Sequence, residues 1–205
     1  MPLLELNNIS IQYQLINPLL NTTNKPCMVF LHEGLGSIPQ WKNFPQILCD
    51  KLNLCGLVYE RYGHGKSSKL KEKRKLNFLN TEAEFLNSIL DKLGIKSKLI
   101  LFGHSDGGTM SLLYSAKYSE KVHSIITEAH HIFIEDITVK GIKEAIKFYK
   151  SGMLKSLLEK HHSDNTETMF YGWADTWLEA FDEKWSITEE LIKITNPVLA
   201  IQGIE

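Results

Sequence analysis

Residues 98–108 read KLILFGHSDGG, and this stretch decides the fold. KLILF is a short apolar run of the kind buried strands use, and residues 109–118 (TMSLLYSAKY), directly after the glycines, have a helical pattern. Between them lies G-x-S-x-G. That spacing predicts a sharp strand-to-helix turn holding Ser105 in strained backbone geometry, so small residues, Gly103 and Gly107, are needed two positions before and two after it. The turn lifts Ser105 clear of the sheet and sets it at a helix N-terminus, where free N–H groups and the helix dipole favour developing negative charge. Ser105 is therefore the candidate nucleophile.

A second element sits where such a turn needs one. Residues 28–31 (MVFL) read as another buried strand and run into His32-Glu33-Gly34-Leu35-Gly36-Ser37, a glycine-bearing loop able to turn a backbone N–H toward the serine. With the N–H of Asp106 it makes the two-donor oxyanion hole that acyl transfer requires; losing one such donor typically costs ~10²–10³ in rate.

Outward from these segments, apolar runs alternate with helical patterns, the signature of an α/β fold with a mostly parallel, doubly wound sheet. Strands are expected at 54–59 (LCGLVY), 122–127 (VHSIIT) and 197–202 (PVLAIQ), with 3–15 as an antiparallel edge. Residues 81–93 form a helix with Phe85, Leu86, Ile89, Leu90 and Leu93 on one stripe, a Thr81/Glu84 capping box and a stop at Gly94. Residues 132–187 break the rhythm and are rich in aromatic residues. They are read as an inserted helical cap, and 1–131 with 188–205 as the core, because structureless loops beyond about 15 residues are uncommon.

The chain has 205 residues, with 23 Lys+Arg against 24 Asp+Glu and 43% hydrophobic residues. A fold of this size buries roughly 70% of the surface its unfolded chain exposes, enough for a core without disulfides. Near-neutral charge argues against nucleic acid, and the basic run 69–75, interrupted by Glu72, reads as a solvated loop. No apolar stretch approaches the ~18 residues of a membrane span. Cys27, Cys49 and Cys55 lack C-x-x-C spacing and read as reduced thiols, so a cytoplasmic protein is expected. No metal or other cofactor is expected, since no histidines recur at helical spacing with a carboxylate. The expected partner is a small-molecule substrate.

In their order, VFLHEGLGS, YERYGHGKSS, LFGHSDGG, the helical insertion and PVLAIQG resemble the α/β-hydrolase superfamily over nearly the whole chain. The resemblance implies Ser105 as nucleophile, with the N–H groups of Gly34 and Asp106 as oxyanion donors; Glu33 stands where the family usually has glycine. More narrowly, HEGLGSIPQWKNFP, EAHHIFIED and YGWADTWLEAFDEKW resemble bacterial hydrolases with a helical cap, some likened to esterases or to hydrolases of aromatic ring-cleavage products. The implied substrate is a small apolar carboxylic ester, thioester or compound with an activated C–C bond.

Among the remaining polar residues, His32, His104 and Arg61 are expected to tie down their loops, and His161 and His162 to lie in a solvated turn. His130, His131 and Trp173 are candidate substrate contacts. In the family the order is Ser, then Asp or Glu, then His, the acid falling just past the strand that PVLAIQG represents. That count puts it after Glu205, with the last strand, last helix and catalytic histidine beyond, so the chain is read as a fragment. Glu205 as a shifted acid, and rescue by His130 or His131 with a nitrogen about 3 Å from the serine hydroxyl, are the alternatives within the chain. A non-catalytic small-molecule-binding protein is the alternative function. Ending at PVLAIQ would also leave that strand as an apolar edge.

Overall fold

In the computed structural model, which describes residues 1–22 and 24–203, strands β3 (Cys27–Leu31) and β5 (Leu99–His104) lie side by side in the middle of one sheet. Its order is β1-β2-β4-β3-β5-β6-β7, with β1 at Leu3–Leu6, β2 at Ile9–Ile16, β4 at Cys55–Tyr59, β6 at Val122–Glu128 and β7 at Val198–Ile201. Strands β3 to β7 are parallel and β1–β2 joins them antiparallel.

The expected strands are present. β3 is buried at every residue because both faces are covered: Val29 and Leu31 enter one core cluster and Met28 and Phe30 the other. Helices α2 (Phe78–Lys92) and α3 (Asp106–Lys117) supply the first with Leu86, Ile89, Leu90, Met110 and Leu113; α1 (Phe44–Leu52) supplies the second with Cys49. All three cysteines are buried and free.

Residues 3–15 form the expected antiparallel edge as a hairpin, in which Asn7 and Asn8 both take positive φ, 50° and 62°, as a two-residue turn between twisted strands requires. Two local expectations need correction. Helix α2 begins at Phe78, not at a Thr81 cap: buried Phe78 and Leu79 pull an extra turn into the core, Thr81 donates back to Asn77 O, and Glu84 pairs with Lys117. The basic run is also not wholly solvated. Arg74 is buried, pairs with Glu82 at 3.3 Å and lies 4.9 Å over the Phe78 ring.

Between β6 and β7 run α4 (Asp136–Lys150), α5 (Met153–His162) and α6 (Thr166–Asp182), followed by the short α7 (Thr188–Leu191). The rings of Tyr149 and Phe170 stack at 3.9 Å inside this insertion, with Leu158, Met169, Ala174 and Trp177 also buried. β7 pairs with β6 alone among the described residues, and its Val198, Leu199 and Ile201 are exposed. Glu205 lies outside the described residues.

Candidate active site

β5 delivers the chain into the turn and α3 takes it away. Ser105 sits at φ 52° and ψ −118°, a conformation that L-residues rarely adopt and that typically costs about 1–3 kcal/mol. Its N–H donates to Glu128 O at the end of β6 (2.8 Å), and its carbonyl accepts from Gly108 and Thr109 (2.8 and 3.0 Å) to start α3. The glycines are steric necessities. A Cβ at Gly103 would stand 2.1 Å from Gly107 O, and one at Gly107 would stand 1.9 Å from Leu31 O. Ser105 is half-buried, and among the described residues neither its Oγ nor the N–H of Asp106 has a hydrogen-bond partner.

The loop after β3 folds over this turn, and the Gly34 Cα faces the pyrrole edge of Trp173 and the Asp106 carboxyl. It is held through three consecutive carbonyls. Glu33 O accepts from Arg61 Nη2 (2.9 Å), His32 Nδ1 (2.8 Å) and Gly36 N–H (3.0 Å); Gly34 O accepts from His64 Nε2 (3.1 Å); Leu35 O accepts from His162 Nε2 (2.9 Å). The peptide bond is planar and trans, so pinning Glu33 C=O one way points the Gly34 N–H the other. That N–H has no acceptor among the described residues.

The ring nitrogens fix the tautomers of two of these histidines. His32 accepts the Arg61 N–H at Nε2 (3.1 Å) and His162 accepts the Gly65 N–H at Nδ1 (2.9 Å), leaving the other nitrogen of each to donate, whereas His64 Nδ1 lies between Tyr62 O (3.2 Å) and Arg74 Nη2 (3.4 Å). All three are buried, and burial holds them neutral. It lowers the pKa of each, helped by the Arg61 charge at His32 and His64; His162 is lowered to about 4.

Arg61 ties the loop to the turn. Its buried guanidinium lies 3.0 Å from Glu82, which is 13% exposed, and 3.4 Å from the fully buried Asp106. Burial works against its charge, but the carboxylates of Glu82 and Asp106 more than offset this and raise its pKa. The other Asp106 oxygen accepts from Trp177 Nε1 of α6 at 3.1 Å. Burial likewise raises the carboxyl pKa of Glu33, which accepts the Leu35 N–H (2.6 Å), and of Glu60, which accepts those of Ile38 and Lys66 (3.4 and 2.6 Å).

The sequence candidates are brought together in part. Trp173 meets Gly34, and His131 stacks edge-on to Trp177 (5.5 Å) with its backbone tied to the Thr109 hydroxyl (2.7 and 3.1 Å). His130 packs near Gly108, with its buried Nδ1 unpartnered among the described residues. None of the eight histidines forms a hydrogen bond to Ser105 Oγ, so the rescue geometry is not formed. His162 is a correction: it is fully buried between Gly65 and Leu35 rather than solvated, because the α5–α6 junction tucks under the loop. His64, Glu82, Asn165 and Trp177 were missed. Only YGHGKSS carried a signal, a histidine between two glycines.

Residues 26–186 match the family model described as alpha/beta hydrolase fold, and the chain belongs to that family. Among solved structures it is similar to the enol-lactonase from Burkholderia xenovorans, at 17% identity and a TM-score of 0.70, over 100% of this chain and 82% of that one. A thermophilic esterase from Thermogutta terrifontis is 18% identical with a TM-score of 0.68, over 95% and 75%. An alpha/beta hydrolase enzyme from a Medee basin deep-sea metagenome library is 19% identical with a TM-score of 0.68, over 97% and 78%. These likenesses concern the fold. Among the described residues no helix is long and apolar enough to cross a membrane.

Proposed function

We propose that this chain carries the nucleophile and oxyanion hole of a serine hydrolase acting on a small apolar carboxylic ester, thioester or activated C–C bond. Ser105 Oγ attacks the carbonyl carbon, and the oxygen that becomes negative is received by the N–H groups of Gly34 and Asp106. The carrying observation is a serine held in a strained turn beside two amides, those of Asp106 in the turn and Gly34 in the loop packed against the Asp106 carboxyl, that have no acceptor among the described residues. The names of the esterase and the enol-lactonase among its structural neighbours support ester or lactone chemistry. The helices between β6 and β7 act as the cap, with Trp173, His130 and His131 as candidate contacts for the acyl part. Three buried thiols fit a reducing, cytoplasmic setting.

The proton of Ser105 needs an acceptor, and in the family's order the acid and the histidine follow the strand equivalent to β7. Residues 1–205 alone should therefore hydrolyse p-nitrophenyl acetate only at the ~10³–10⁴-fold level over water left by binding and an oxyanion hole. A version continuing past residue 205 through an acid and a histidine should turn it over fully, and Ser105→Ala should abolish this. Turnover unchanged in Ser105→Ala would overturn the assignment. A second reading, a ligand-binding protein without catalysis, is favoured by the absence of a hydrogen-bond partner for Ser105 Oγ among the described residues. It requires that the longer version also be inactive while the folded chain binds a ligand.

A further inference from the structure

We infer that His162, reaching in from the helical insertion, is a positioning residue that sets the direction of the Gly34 N–H from two peptide planes away. The inference rests on the reading of that N–H as an oxyanion donor. His162 Nδ1 is occupied by the Gly65 N–H (2.9 Å), so its proton is on Nε2 and is donated to Leu35 O (2.9 Å). The Leu35–Gly36 peptide is trans, so with its carbonyl drawn toward His162 its N–H points the opposite way, into Glu33 O at 3.0 Å. Glu33 O belongs to the peptide whose other end is the Gly34 N–H. Each bond in this chain orients and polarises the next, running from α5 to the amide that faces the site.

Arg61 and His32 pull on the same Glu33 oxygen from the sheet side, whereas His162 is the contribution of the insertion. The insertion has other attachments nearby. Asn165 Nδ2 donates to Gly65 O and Ser67 O (3.0 and 2.7 Å), and Trp177 holds Asp106. Those contacts keep the helices seated without the imidazole. The role of His162 is therefore separable from attachment of the insertion, and what it adds is orientation of the loop.

Two substitutions divide its bonds. A Gln amide nitrogen reaches the place of Nε2 and keeps the donor to Leu35 O, whereas an Asn oxygen reaches only the place of Nδ1 and keeps the acceptor for Gly65. In the version continuing past residue 205 through an acid and a histidine, we expect Ser105 in His162→Asn to react with a fluorophosphonate probe about 10-fold to 100-fold more slowly than with His162 intact, approaching loss of one oxyanion donor. His162→Gln should stay within about threefold by the same measure, and exchange of the Gly36 amide with solvent should quicken in the Asn variant only. Equal rates in both variants, slow or fast, would overturn the inference. Should that longer version and its Ser105→Ala variant react alike with the probe, the nucleophile assignment fails instead, and Gly36 exchange still decides the role of His162. On the wild-type protein, ¹⁵N NMR at pH 7 should show His162 protonated at Nε2 alone. Protonation at Nδ1 would refute the geometry even if neither variant folds.

Discussion

The two amides proposed as oxyanion donors are placed in different ways. The Asp106 N–H is fixed by the turn that creates it: Gly103 and Gly107 admit backbone to about 2 Å of where a Cβ would stand, and the Ser105 carbonyl starts α3. The Gly34 N–H lies in a loop whose glycine is crowded by the Trp173 ring rather than by backbone, and its direction comes from side chains at positions 32, 61, 64 and 162. An arm locked by backbone contact tolerates little change at Gly103 or Gly107. A remotely held arm can be loosened from several places, each by a fraction.

The largest expected effect breaks the local arm. Gly107→Ala drives a methyl into Leu31 O at the centre of the sheet, where neither backbone can yield, and should cost more than about 4 kcal/mol in a denaturant titration. A loss below about 1 kcal/mol would show that the turn is not locked by contact. Arg61→Met comes next because Arg61 touches both arms. Removal leaves the buried Asp106 carboxylate with only the Trp177 donor among the described residues and takes one of three donors from Glu33 O, and should cost about 3 kcal/mol or more. In that variant Glu82 keeps Arg74 as a partner.

Acid sharpens the comparison with a smaller effect on the loop arm. The unfolded chain binds protons at histidine near pH 6.5, whereas buried His32, His64 and His162 resist them; the folded state therefore binds fewer protons below that pH. Their contribution to stability is complete above about 6.5 and drains as pH falls, for His162 until about 4, amounting to up to about 3 kcal/mol for that residue. Melting midpoints followed from pH 7 to 4 should fall, and less steeply in His162→Gln. Equal slopes in the two proteins would place the imidazole outside the linkage.

Legibility in the sequence follows the same division. The strands of the central sheet were readable because apolar runs covered on both faces have no alternative environment, and G-x-S-x-G was readable because its constraint spans five consecutive residues. The Asn7-Asn8 turn was missed although its signal was present, and α2 began early because buried Phe78 outweighed a Thr81 cap. His162 was unreadable as a buried donor. A histidine between Lys160, His161 and Ser163 looks like a surface turn until the α5–α6 junction is packed beneath residue 35.

By itself the sequence determined the α/β alternation, the strained serine turn and the glycine at 103, whose missing Cβ makes room for Gly107 O four residues on; the glycine at 107 is required by Leu31 O of the neighbouring strand. Only the tertiary structure decided which way the Gly34 amide points, because that direction depends on hydrogen bonds from residues up to 127 positions away in the chain. Their short range makes them visible only once the elements have packed.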